Sequence, residues 1–547
     1  MVAAGSDAVK VTGDPATEPV GAPTSSTGSN EATEDAPTAE AADESANWNR
    51  RGAASSLSEL ARLGSFLVFN VAAFLLIIRY LPKEQMGWYA LVNVVINLAF
   101  VVADLQMDKV AVRRVTQRED PEEVIGAAVG VRLAGSVLAT LAAQLIFLAI
   151  GLARGGILLE VQLAALLASS QFFGESFFVV GAVFQSQLRA YLDVAPRMVY
   201  VGLRFAFTLM LLALEVPWWA LFFAWVGAYA IADVVAYGLF RLKAGIRLRP
   251  RLRGTRLLVG EALTLGVAGL LGLATVQFGT IYLGVTAPPE TVAIFNAAIL
   301  PIQYLSLFGS VIAIVAFPLA SAAWIRKDRI RFGRIDATAR TAILALFLPV
   351  SILLFQAPLA ELLNTGFGPG YDAAAQPLRL MSIALILASL MVWAGFVFLS
   401  IGRPRLILAI NALCLTVGVA ASPLVVPRFG LPGLAAVGIV ATMIGAVSAA
   451  LLLRKFAPYS FDARGTFRLA VLGTILWLAL SATRTVSDNF LVLATVTAIA
   501  YPLLVITFRV FPKSLLDDLR ATADGSLDLA AAAPGCAQLA GGVDEPH

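Results

Sequence analysis

The chain has 547 residues, with 59% hydrophobic and only 14% charged side chains, and a formal net charge of +4. Its mean hydropathy is +0.81, whereas a soluble protein devotes about a quarter of its residues to charge to cover its surface. That composition excludes a soluble enzyme, and the single histidine, His547 at the last position, excludes histidine-based zinc or triad chemistry from the core.

In chain order, residues 1–52 read as a disordered, acidic, cytoplasmic tail in which Lys10 is the only basic side chain before Arg50. No apolar segment with a basic flank occurs there, so no cleavable signal peptide is expected. From residue 60 onward, apolar runs of about 20 residues recur, the length that crosses ~30 Å of hydrocarbon as a helix. They predict fourteen spans, at 60–80, 87–107, 124–150, 160–186, 195–215, 218–240, 259–284, 291–320, 336–360, 374–400, 405–427, 431–453, 466–483 and 489–509. The fold class is therefore an all-α polytopic membrane protein.

The links between these spans alternate in Lys and Arg. The link after span two carries Lys109, Arg113, Arg114 and Arg118, and the link after span six reads RLKAGIRLRPRLRGTR. The links after spans eight, ten and twelve are again basic, while those on the other face hold few positive residues. This is the positive-inside pattern, and it places both termini in the cytoplasm. It also accounts for the pI near 9.1 without nucleic acid. No link is long enough to fold as a catalytic domain, so the work lies inside the membrane, as transport rather than group transfer. Cys414 and Cys536 offer neither a disulfide framework nor a thiolate cluster, and no metal or cofactor is expected.

The long basic link divides the chain into a six-helix lobe (53–240), a cytoplasmic linker (241–258), a second six-helix lobe (259–453), two additional spans (454–513) and a cytoplasmic tail (514–547). YLPKEQMGWYALVNVV, joining spans one and two, has the same grammar as VTAPPETVAIFNAAILP, joining seven and eight. Each breaks at proline, follows with glutamate, then an aromatic, then a polar residue within a resumed helix. A repeat offset by six spans relates the halves by an axis along the membrane normal, so that they can rock about one cavity. Compositional chance is the competing explanation.

Residues 60–115, LARLGSFLVFNVAAFLLIIRYLPKEQMGWYALVNVVINLAFVVADLQMDKVAVRRV, resemble the opening of the polysaccharide-biosynthesis flippases. These are the Wzx-like translocases of lipid-linked oligosaccharide in the multidrug/oligosaccharidyl-lipid/polysaccharide exporter superfamily. The matching features are the Leu81-Pro82 break, Gly87 with Tyr89, and ADLQMDKVAVRR, where a typical relative has a glycine near Gln106. Residues 295–322, with Pro318, resemble the family's eighth span. The resemblance implies a V-shaped transporter of two six-helix lobes plus two C-terminal helices, moving a lipid diphosphate glycan from the inner to the outer leaflet without hydrolysing nucleotide. It further implies a cavity lined by spans one, two, seven and eight, coupling to Na+ or H+ in some relatives, and glycosyltransferases of the same pathway as partners.

A diphosphate and a glycan cross hydrocarbon only along a polar route with cationic partners. By the resemblance, the cavity candidates are Arg62, Asn70, Asn93 and Asn97 from spans one and two, and Glu261, Gln277, Asn296 and Gln303 from seven and eight. Asn93 and Asn97 are four apart and share a helix face. Arg62 is the leading phosphate ligand of this set; a snorkelling arginine at the membrane boundary is the alternative. Arg132, Glu175, Arg204 and Asp233 fall in one layer of spans three to six, either as an ion-coupling switch or as buried pairs, Asp233 with Arg204 among them. Asp104 and Asp108, near Lys109 and Arg113, read as a cytoplasmic gate or a solvated helix end. The basic linker faces anionic membrane lipids, and the small residues of GVAGLLGLA (266–274) permit close helix contact. A cation-coupled exporter of small amphipathic compounds and an integral membrane glycosyltransferase or polymerase are the competing functions.

Overall fold

Proline and left-handed turns punctuate the apolar runs. Pro82 and Pro288 hold almost the same backbone conformation (φ −54°, ψ 149° and φ −59°, ψ 152°) and each starts a helix with a glutamate in its first turn. Asp120, followed by Pro121, Glu122 and Glu123, caps a third helix by accepting the backbone N–H of Glu122, the arrangement a helix N-terminus favours.

The computed structural model describes residues 61–508 apart from 118–119, 188, 190, 246–247, 253–254 and 458–462. Both predicted tails, with Cys536 and His547, lie outside the described residues. Among those residues, thirteen helices are long and apolar enough to cross a membrane. One of them, Arg405–Phe456, is 52 residues long and is broken at Gly430 (φ 59°, ψ −143°) amid Pro423, Pro427 and Pro432. It is two spans, so the count of fourteen stands. They are α1 (Ala61–Tyr80), α2 (Lys83–Thr116), α3 (Pro121–Ala153), α4 (Leu159–Ser186), α5 (Tyr191–Ala213), α6 (Trp218–Ala244), α7 (Thr255–Thr286), α8 (Pro289–Ile325), α9 (Arg329–Gln356), α10 (Asp372–Ser400), α11 (405–429), α12 (431–456), α13 (Ala463–Arg484) and α14 (Phe490–Thr507). The chain is an all-α, multi-pass membrane protein.

The first six helices meet the later ones through α2, which packs along α7 and α8, and through α1, where Phe74 meets Phe367. At the end of the bundle away from the basic link, Gly87 lets α2 touch the start of α8, because a Cβ there would overlap the carbonyl of Pro289. Arg154 donates to the carbonyls of Gly284 and Ala287 at 2.8 Å each and lies 5.0 Å over the Trp88 ring. Those carbonyls close α7, where the helix dipole favours a cation. Arg79 reaches the carbonyl of Thr365, and Lys83 lies 5.6 Å over the ring of Tyr371. Burial pushes the Tyr371 phenol up to about 12, so it stays neutral and the Lys83 contact is cation–π.

At the basic end, Gly266 of α7 admits Leu105 of α2, the close contact expected of the small-residue run. There α2 is interrupted by Leu105 and Gln106, both left-handed (φ 48° and 58°). Arg132 and Arg340 each occupy the twelfth position of the third helix of their set, and each pairs with a buried aspartate, Asp104 or Asp336.

A polar cavity and its candidate site

Between the two sets of helices lies a cavity of about 280 Å³, the liquid volume of roughly nine waters. Asn70 on α1, Asn93 and Asn97 on α2, Gln277 on α7, and Asn296 and Gln303 on α8 all line it. Asn70 and Asn93 spend one N–H on the carbonyls of Phe66 and Tyr89, one turn back. The Gln303 amide donates to the Gln277 side-chain oxygen at 3.2 Å across α7 and α8. Asn97 and Gln303 each stand fifteen residues beyond their cap proline, so corresponding positions of the repeat reach the same space.

The charged wall comes from α4, α5 and α6. Arg204 lies with its guanidinium 4.5 Å over the Trp225 ring and 3.5 Å from the Tyr200 hydroxyl. Tyr200 stacks on Tyr229 with centroids 4.0 Å apart, and Tyr229 donates to Glu175 at 3.2 Å. Glu175 also accepts from Arg197 at 3.5 Å. Arg197 in turn holds Asp193 at 3.3 Å, whose other oxygen accepts from Gln185 at 2.7 Å. One arginine thus serves two carboxylates, while Arg204 forms no ion pair among the described residues. A cation in such a place keeps ring faces and the hydroxyls of Tyr200 and Tyr89 in exchange for lost hydration.

Several expectations need correction. Arg204 does not pair with Asp233; it lies on the cavity wall, and Asp233 Oδ1 is buried without a hydrogen-bond partner among the described residues. Arg132 is paired with Asp104 at 2.6 Å, with both side chains buried, and not with Glu175. That pair lies within the first six helices, so Asp104 is matched to Arg132 and not to Lys109 or Arg113, and Asp108 forms no ion pair among the described residues. Arg62 is half-buried one turn below Phe66, where the α1 wall of the cavity begins, and does not line it. The side chain of Glu261 lies outside the described residues.

The sequence reading missed Gln171, Tyr200, Trp225, Tyr229 and Tyr304 on the wall, and Arg197 with Asp193 behind it. A signal was present. Gln171 and Glu175, Tyr200 and Arg204, and Trp225 and Tyr229 are each four apart, the spacing already used for Asn93 and Asn97. Arg197 and Asp193 were placed outside or at the edge of a span whose start was set four residues too late.

An apolar groove of about 620 Å³ runs between α1, α8, α9 and α14, lined by residues such as Leu67, Leu307, Leu346 and Tyr501. It begins one turn further along the helices that wall the cavity, where Phe66 gives way to Leu63 and Tyr304 to Leu307. The direction is toward the basic end of the bundle.

No protein-family model matches the sequence, and no curated protein matches it. Solved structures do. The lipid II flippase MurJ in an inward closed conformation superposes with a TM-score of 0.68 over 83% of this chain and 98% of that one, at 11% identity. A eukaryotic MATE transporter gives a TM-score of 0.58 over 75% of this chain and 96% of that one, at 13% identity. A transporter of the MOP superfamily from Pyrococcus furiosus gives 0.56 over 74% and 95%, at 17% identity. The chain has the fold that these flippases and exporters share.

Proposed function

We propose that the protein is a flippase for an anionic, lipid-linked oligosaccharide, working between two six-helix lobes with both termini in the cytoplasm. The observation that carries this reading is Arg204, a cation on the wall of an intramembrane cavity without a carboxylate partner among the described residues. A guanidinium so placed gains most from an anion, and its planar fork suits phosphate. Around it stand carboxamides, which pair with sugar hydroxyls in both donor and acceptor senses, and the flat faces of Tyr200, Trp225 and Tyr229, against which a sugar ring packs. The neighbouring groove offers an apolar chain a path on the same two helices, so one amphipathic molecule can use both.

The cavity holds about 280 Å³, room for a single sugar-sized group. A larger glycan therefore requires the lobes to part, which the resemblance to alternating-access transporters supports. Any cation coupling would fall to Glu175 or Asp233, and the glycosyltransferases that build the cargo are the natural partners. A cation-coupled exporter of small amphipathic compounds is the second reading, favoured by the small volume and by the exporters of the same fold.

Reconstitution into proteoliposomes with a fluorescent lipid diphosphate glycan separates the two. The flippase reading expects leaflet exchange by the native protein, and loss of that exchange in Arg204→Gln at equal reconstitution. Exchange unaffected by Arg204→Gln, or movement of lipophilic cations alone, would overturn it.

A further inference from the structure

The link between α6 and α7 does not hang free. α6 ends at Gly245, whose φ of +70° turns the chain, and residues 248–252 then lie along α3. The backbone N–H of Arg251 donates to the carbonyl of Gly126 at 2.9 Å. The carbonyls of Arg249 and Arg251 face Gly126 and Gly130, where a Cβ would overlap them. The register has a simple cause. Two residues of extended chain advance ~6.6 Å, and four residues of helix advance ~6 Å, so alternate carbonyls match glycines one turn apart.

Pro250 supports the same geometry. It drives Arg249 toward extended backbone and carries no N–H that would need a partner. At the far end Thr255 Oγ1 donates to the Leu252 carbonyl at 3.0 Å. The segment is a strap fixed to the first six helices.

Its sequence, Arg247-Leu248-Arg249-Pro250-Arg251-Leu252-Arg253, alternates strictly. In extended chain, alternate residues share a side. Of Leu248, Pro250 and Leu252 only Leu248 packs on the core; Arg249 and Arg251 on the other side are exposed and form no ion pair among the described residues. Two guanidiniums are thus presented side by side at a set spacing, on the end of the bundle where basic residues gather.

We propose that this strap is a docking rail for the phosphates of anionic phospholipids in the adjoining leaflet. The fork of each guanidinium can take two oxygens of one phosphate. Anchoring through α3 ties the first six helices to the membrane plane, leaving the later ones free to move against it. The distinction from ordinary basic anchoring is that register matters here as well as net charge.

The test uses the full-length protein in neutral detergent, titrated with phosphatidylglycerol or phosphatidylcholine and assayed by mass spectrometry for retained lipid. Native protein should retain phosphatidylglycerol preferentially. Arg249→Gln with Arg251→Gln should lower that preference, by about fivefold for each arginine. A second variant, Arg251→Leu with Leu252→Arg, keeps composition and charge but breaks the row, and should lose as much as one arginine. Unchanged preference in the double glutamine variant overturns the rail. Native preference in the exchanged variant does so too, since net charge alone would then account for binding. No transport is measured, so the outcome is independent of the cargo.

Discussion

The guanidinium of Arg132 on α3 lies 2.6 Å from the carboxylate of Asp104 on α2, with side-chain exposures of 3% and 8%. The second oxygen of Asp104 accepts the backbone N–H of Gln106 at 3.2 Å. One buried pair therefore fixes both the packing of α3 on α2 and the break within α2. Removing either partner leaves a desolvated charge, at a cost of about 3–5 kcal/mol. Asp104→Asn and Arg132→Gln should each lower the melting temperature sharply in detergent, whereas Asp104→Leu with Arg132→Met should recover most of the loss. Equal destabilisation by the double substitution would count against the pair.

Gln106 makes a second test at the same place. Its φ of 58° lies in the region that favours glycine, and the flippases that this segment resembles carry a glycine near it. Gln106→Gly should stabilise the fold by up to about 1 kcal/mol. A lowered melting temperature would show that the amide side chain outweighs the backbone strain.

The end away from the basic link is held shut by close contact and by cations on carbonyls. Gly87→Val places a branched side chain where Pro289 already stands, and Arg154→Ala removes two charge-assisted hydrogen bonds. Both should open that end. With Asn97→Cys in a background lacking Cys414 and Cys536, labelling by an impermeant thiol reagent from outside should rise about tenfold for Arg154→Ala. Labelling equal to that of the parent would mean that these contacts do not govern access.

Arg204 and Asp233 do not pair, so exchanging their charges should rescue nothing. Arg204→Asp with Asp233→Arg should express and translocate no better than the worse single variant. Arg204→Lys should keep part of the activity, because it retains the charge and loses the fork. Rescue by the exchange would require the two side chains to meet in another state of the protein.

The helical spans were legible because each must present a continuous apolar surface about 20 residues long, with no alternative partner for its backbone than itself. The Pro82 and Pro288 breaks were legible for a related reason, since proline withholds a donor and ends the preceding helix. Asn93 and Asn97 were found through the family resemblance, and their spacing put them on one helix face. The partners of the charges were not, because periodicity tells which face of a helix a residue occupies and says nothing of the neighbour opposite. Arg132 could have met any of several carboxylates; packing of α3 on α2 chose Asp104. Arg204 looked like half of a buried pair, and only the placement of α5 against α6 turned it toward Trp225 and the cavity.

By itself, then, the sequence determined a bundle of fourteen membrane helices, the proline breaks at Pro82 and Pro288 and the polar character of α1, α2, α7 and α8. Those properties follow from local hydropathy and backbone chemistry, which each segment carries within itself. Tertiary structure decided that Arg197 neutralises Asp193 and Glu175, that Arg204 is left facing the cavity, and that the arginine-rich link is strapped to Gly126 and Gly130. Each of these depends on which helices lie side by side, a property of the assembled bundle and not of any one segment.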